Sequence, residues 1–391
     1  MNPRSSRPPR RPSALRAVLL AVVAVLAWPA GAEDGVTPDS IIIGQSAGFT
    51  GQVAGQVKEM TAGAKACFDY VNNRGGVHGR RIVLKSLDDG YDAKRSAANA
   101  RTLIVEQKVF ALALARGTPT SEAIVPIVNE YKVPLIGLGT GSQSLYEPFS
   151  RYVFNLRAKY RNEAIRIIDH LVTMRVNRIA LLYQNNAFGK DGLAGYEKGL
   201  RDHDLKALAV VALDGANPAK DVAMAVDKIS ASDPQAVAIV GPLKPTAEFI
   251  RTMKAKGVFA QYLVLSNLSA DAFISELGDA AHGVVVTQVV PYPWNVATPL
   301  AKELHQAMRE STGAEPTVSY AAMEGYIYAK VIVEGLRQAG PNPTRESFIH
   351  ALEGFRNYDL GGFSVRYGPR NRDGSEYIDI TMIGKDKTFR R

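Results

Sequence analysis

The chain has 391 residues, 46% of them hydrophobic and 22% charged, a balance that excludes disordered and fibrous classes. Its formal charge of +9 is concentrated at the start: without Arg4, Arg7, Arg10, Arg11 and Arg16 there are 42 basic against 38 acidic side chains, a net of +4. So small a charge over this length gives no reason to expect a nucleic-acid partner.

The five arginines precede an apolar run over residues 17–28 and the small-residue segment Ala30-Gly31-Ala32. That is the pattern of a secretory signal peptide over residues 1–32, since the apolar run is too short to span a bilayer. The mature chain is expected to begin near Glu33, after a cut near Ala32, and to reside in the periplasm. The Arg10-Arg11 pair leaves the general and twin-arginine export routes both open. What remains is long enough for two domains, each with its own core. The single cysteine, Cys67, can form no internal disulfide; flanked by Ala64, Ala66 and Phe68 in a helical pattern, it reads as a buried, inert thiol.

From there, short runs rich in β-branched residues alternate with stretches of helical period. Strands are predicted at residues 41–44, 82–87, 110–114, 134–137, 152–156, 179–183, 208–213, 236–240, 262–265 and 284–289. Most are continuously apolar, as strands of a parallel sheet covered by helices on both faces should be. Asp88 and Asp89 are read as capping a helix that starts near Ala93, and a further helix is predicted from Ala123 to Tyr131. Four strands precede the loop at residues 137–147 and about five follow Tyr152, which divides the chain into two comparable α/β units with a boundary near residues 155–158. Beyond Val290 the alternation fails: a Pro-rich stretch holding Tyr292 and Trp294 leads to consecutive helices and then to strand-like residues 363–367 and 377–383. A terminal region of that kind returns to an earlier domain.

Catalytic signatures are missing. The six histidines include no pair at metal-ligand spacing, and neither a phosphate-cradling nor a nucleophile-elbow motif occurs. Residues 137–141 are glycine-rich but depart from the dinucleotide fingerprint. No enzyme activity, cofactor or metal is expected, and binding is left as the occupation. In open α/β sheets ligands sit beyond the carboxyl ends of the strands, where the loops at residues 49–52, 116–121 and 137–142 are small, hydroxyl-bearing and glycine-rich. The second of these opens a helix, whose free N–H groups favour an anion such as a carboxylate, although Thr118, Thr120 and Ser121 could equally serve as caps. Arg116 is read as a solvated strand-end residue, with a countercharge at the cleft mouth as the other possibility.

These segments carry a resemblance. Residues 42–51, 61–64, 72–80, 87–89, 117–121, 132–134, 185–190, 276–278, 282–286 and 324–326, in this order and spacing, resemble the periplasmic solute-binding proteins of ABC importers in the branched-chain amino acid (Leu/Ile/Val)-binding family. The resemblance implies the α/β, type I periplasmic-binding-protein fold, with two doubly wound parallel-sheet lobes joined by three hinge crossings. Lobe I would comprise residues 33–155 completed by about 290–358, and lobe II residues 156–289 completed by about 361–391. Carried over by position, Thr118 falls where the family grips the ligand carboxylate, and Thr140, Gly141 and Ser142 fall in the loop completing that grip. Phe188 replaces a covering tyrosine, Gln56 stands where relatives place a tyrosine, and Ser266 stands where they place the acid that binds an α-ammonium. Without that acid the expected cargo is an anion lacking an α-amino group. The implied partners are a small carboxylate or amino-acid-like solute and an inner-membrane permease, with the protein itself a monomer. A sensor presenting its liganded form to a signalling receptor, and an exported α/β enzyme, are the alternatives.

Overall fold

Apolar runs without alternation become strands covered on both faces: all five residues of β8 (Ala236–Val240) are buried. The computed structural model describes residues 33–268, 271–315 and 317–391, so the signal peptide read at residues 1–32 lies outside the described residues. Within Asp34–Arg391, which cluster as one unit, two large sheets organise the chain.

The first sheet contains β1 (Ser40–Ala47), β2 (Arg81–Asp88), β3 (Ala111–Ala113), β4 (Leu135–Ile136) and β5 (Val153–Phe154), all parallel in the order β2-β1-β3-β4-β5. Helices α1 (Ala54–Asn72), α2 (Ala93–Arg101) and α3 (Thr118–Tyr131) make its crossovers. The second sheet repeats that winding with β6 (Ile179–Gln184), β7 (Val210–Leu213), β8, β9 (Gln261–Val264) and β10 (Val285–Gln288) in the order β7-β6-β8-β9-β10. Its helices are α4 (Tyr160–Thr173), α5 (Ala187–Asp202), α6 (Pro218–Ala231), α7 (Leu243–Ala255) and α8 (Asp271–Leu277). Each of the ten sequence-predicted strands is present, trimmed or extended by a few residues.

The chain passes between the sheets three times. It crosses after β5 into α4, and again after β10 into α9 (Pro299–Thr312), α10 (Tyr320–Ala339) and α11 (Arg345–Glu353). After a short hairpin of β11 (Tyr358–Asp359) and β12 (Ser364–Val365) it returns, and β13 (Asp379–Ile383) and β14 (Phe389–Arg390) extend the second sheet antiparallel beyond β10. First and third crossings run side by side, with the Asn155 N–H donating to Arg372 O at 2.9 Å and the Gly374 N–H to Asn155 O at 2.8 Å. At the second, Tyr292, Trp294, Tyr320 and Phe389 form one aromatic cluster, with ring centroids of Tyr292 and Trp294 5.0 Å apart.

Asp88 and Asp89 do not cap α2. Asp92 does, accepting from the Arg95 N–H, whereas Asp88 accepts from the Thr50 hydroxyl at 2.6 Å and Asp89 from the Ser46 hydroxyl at 3.0 Å. Asp88 therefore pins the loop after β1, and Asp89 ties the end of β1 to the start of α2. Cys67 is buried as expected, and burial pushes its thiol far above the ordinary range.

Helices α1 and α10 approach through glycine. A Cβ on Gly63 would lie 1.9 Å from Ala322 O, and one on Gly325 would lie 1.8 Å from Met60 O, so each helix rests on the other's bare backbone. Replacing glycine by alanine normally helps a helix by about 1 kcal/mol. Here the sign reverses: Gly63→Ala is expected to cost about 2 kcal/mol, read as a lowered melting temperature, because the two helices must separate to admit the methyl.

Candidate functional site

Both sheets reverse their winding between their first and third strands, and ligands of doubly wound sheets bind where that reversal opens a crevice. Here the two reversals face one cavity of about 50 Å³. Gln52, Val53 and Gln56 reach it from the loop and helix after β1, and Arg116, Gly117 and Thr118 from the turn after β3. From the second sheet come Phe188 after β6, Pro242 and Leu243 after β8, and Asn267 after β9. Among the described residues around it, Arg116 is the only charged side chain.

Helix α3 begins at Thr118, five residues earlier than its sequence pattern indicates, because Gly117 with φ 99° turns the chain directly out of β3. A side chain there would meet Tyr91, whose ring lies 2.2 Å from a built Cβ. Thr118, Thr120 and Ser121 thus occupy the first turn instead of capping it, and the Thr120 hydroxyl donates back to Arg116 O at 2.6 Å. Thr118 shares a 2.8 Å hydrogen bond with the hydroxyl of Thr140. The positive end of the α3 dipole therefore stands in the cavity wall beside an arginine.

Arg116 is not solvated. It is 4% exposed, sits 3.3 Å from the Glu324 carboxylate, and donates to the Gln56 side-chain oxygen at 2.9 Å. The other Glu324 oxygen takes Arg157 at 2.6 Å and the Tyr328 hydroxyl at 2.5 Å. Burial opposes ionisation of Glu324, but Arg157 and Arg116 outweigh it and hold the carboxyl below its ordinary value. Arg157 also donates to the Ser266 hydroxyl, and the Ser266 N–H donates to Glu163 at 2.9 Å. Glu163 accepts from the Thr287 hydroxyl as well, at 2.5 Å. Desolvation dominates at Glu163 and keeps its carboxyl above the ordinary value despite Arg157.

Of the residues singled out from sequence, Gln56, Thr118 and Phe188 line the cavity, and Phe188 packs edge-on against Tyr160 with centroids 5.0 Å apart. Thr140 stands behind Thr118. Gly141 and Ser142 lie at the first crossing, where the Tyr160 N–H donates to Gly141 O at 2.8 Å and the hydroxyls of Ser142 and Ser144 pair at 3.1 Å. Ser266 belongs to the network beneath, on a small neighbouring void. Sequence reasoning missed Tyr91, Tyr160, Asn267 and the part played by Glu324. A signal for the last was present, because Glu324 interrupts the apolar stripe of Met323, Tyr326, Ile327 and Val331 on α10.

The chain belongs to the periplasmic binding protein family, whose model matches residues 40–387. Among curated relatives it is 24% identical over 342 residues to "Leu/Ile/Val-binding protein homolog 3" of Brucella melitensis biotype 1, spanning 87% of this chain and 90% of that one. Among solved structures, a substrate-binding periplasmic protein from Ralstonia solanacearum is 35% identical with a TM-score of 0.83, covering 90% of this chain and 99% of the other. A possible leucine/isoleucine/valine-binding protein from Rhodopirellula baltica SH 1 gives 29% identity and a TM-score of 0.83, covering 93% and 98%. The fold is the type I periplasmic-binding fold, the role is solute binding, and the family and its structural neighbours are binding proteins rather than enzymes.

Neutralising the shared carboxylate should be costly. Glu324→Gln leaves Arg116 and Arg157 buried without a counterion and is expected to lower stability by about 3–5 kcal/mol at neutral pH. The depressed carboxyl of Glu324 stabilises the fold above its ordinary value of 4.5, and that contribution fades as pH falls through the lower folded value. Melting curves of the two proteins should therefore converge as the solution is acidified below pH 4.5.

Proposed function

We propose that this protein is the periplasmic substrate-binding component of an ABC importer, capturing a small carboxylate between its two lobes and presenting it to an inner-membrane permease. Residues 33–155 with about 290–358, and 156–289 with about 361–391, act as the two bodies of a clamp, hinged at the three crossings. Residues 1–32 direct export, and the mature chain works as a monomer.

One observation carries the ligand class: the cavity wall offers a guanidinium, a threonine hydroxyl and a helix N-terminus, with no carboxylate among the described lining residues. An anion finds charge-assisted donors there, each worth about 1.5–3 kcal/mol. An α-ammonium would be desolvated with no acid to receive it, since the position aligned with the family's acid is Ser266, whose hydroxyl already accepts from Arg157. Arg116 shares the Glu324 carboxylate with Arg157, so the acid behind it is divided between two guanidiniums.

A thermal-shift screen over carboxylates, amides and amino acids tests this, because a ligand at 100 times its Kd adds about 2.7 kcal/mol to the folded state. Simple carboxylates are expected to raise the melting temperature and leucine, isoleucine and valine to leave it unchanged. Thr118→Val should weaken the best carboxylate about tenfold, and Arg116→Gln by more. Tight binding of aliphatic amino acids with no response to any carboxylate would sink the assignment.

A further inference from the structure

Three voids adjoin one another along the cleft, and their sizes are unequal. On the hinge side of Gln56 and Arg116 lies a void of about 10 Å³, no larger than one water occupies. The inner chamber, at about 50 Å³, has room for about four waters, enough for a carboxylate and one or two carbons but not for a leucine-sized solute. Outward, the chamber opens into a groove of about 860 Å³ that shares Gln52, Val53, Gln56, Gln184, Pro242 and Leu243 with it as common walls. The way in and the room to spare are therefore on one side.

That groove changes chemical character from the chamber. Beyond the shared walls, Ala54 faces it from one lobe, and Pro218, Ala219, Pro245 and Ala272 from the other. Its charged groups, Lys244, Glu248 and Glu276, include Glu248 in a surface ion pair with Arg251 at 2.9 Å. An apolar chain lying along these walls is removed from water, each buried methylene contributing about 0.8 kcal/mol.

We infer that the cargo is an elongated monocarboxylate, its head group held by Arg116 and Thr118 in the inner chamber and its uncharged aliphatic or aryl tail lying outward along the groove between Val53 and Leu243. This rests on the anion reading above and adds the shape and polarity of the remainder of the molecule. It also gives Gln56 a second duty: by accepting from Arg116 and donating to Asn267 O across the cleft, it closes the hinge side and leaves the outer groove as the tail's exit.

Calorimetric titration of the purified protein with straight-chain monocarboxylates from acetate to decanoate reads the two ideas separately. Affinity should rise about fourfold for each methylene added beyond propionate, the equivalent of about 0.8 kcal/mol, until the groove is filled. The heat capacity of binding should grow more negative along the series, and dicarboxylates of matched length should bind far more weakly than monocarboxylates. Arg116→Gln should shift every member of the series down together. Ala219→Asp, which places a charge on an exposed first-turn position of α6 that tolerates it, should weaken the long members more than the short. Short carboxylates that bind while affinity stays flat or falls with length would overturn the tail inference and leave the anion reading standing. Failure of every carboxylate to bind, long or short, would overturn the anion reading itself.

Discussion

Glu324 is the point on which the molecule's geometry turns. Its carboxylate takes Arg116 from the first sheet's third turn, Arg157 from the first crossing and Tyr328 from one turn further along α10. Two separate stretches of chain are thereby brought to a buried charge on a third, and the donor that faces the cavity is aimed by the acid behind it. Buried ion pairs are weak evidence of stability, because desolvation offsets most of the Coulombic gain. What such a group supplies is position: a guanidinium held by a carboxylate on one side and by Gln56 on another has few other places to point.

The same acid sets the surroundings of Arg116, the only charged side chain among the described residues lining the cavity. Behind it, Glu324 is shared by Arg116 and Arg157, while burial raises the Glu163 carboxyl above its ordinary value. A guanidinium as buried as Arg116 is screened by salt less than a surface lysine is.

Local pattern carried the architecture. Continuous apolar runs located the strands, their alternation with helical stretches gave parallel sheets, the loops beyond the carboxyl ends pointed at Thr118, and the family resemblance added Gln56 and Phe188. What stayed hidden depended on contacts far apart in sequence or on a single backbone angle. Arg116 looks solvated beside small polar neighbours because its partner stands 208 residues further on. The start of α3 was displaced because nothing in the run Thr118-Pro119-Thr120-Ser121 reveals that Gly117 turns straight into the helix. Asp92, rather than the more conspicuous acidic pair before it, caps α2 because Asp88 is engaged with the loop after β1 and Asp89 with the end of β1 itself.

Slender ties link the two lobes across the cleft. The Gln56 amide reaches Asn267 O, and the Gln143 N–H reaches Asp191 at 3.1 Å, where Arg161 also holds the acid at 2.8 Å. A hydrogen bond formed in exchange for water nets about 1 kcal/mol, so the pair together favours the shut form by only a little. A solute that adds several kcal/mol on binding would outweigh so shallow a preference. Occupancy of the cleft is thereby left to the concentration of the solute.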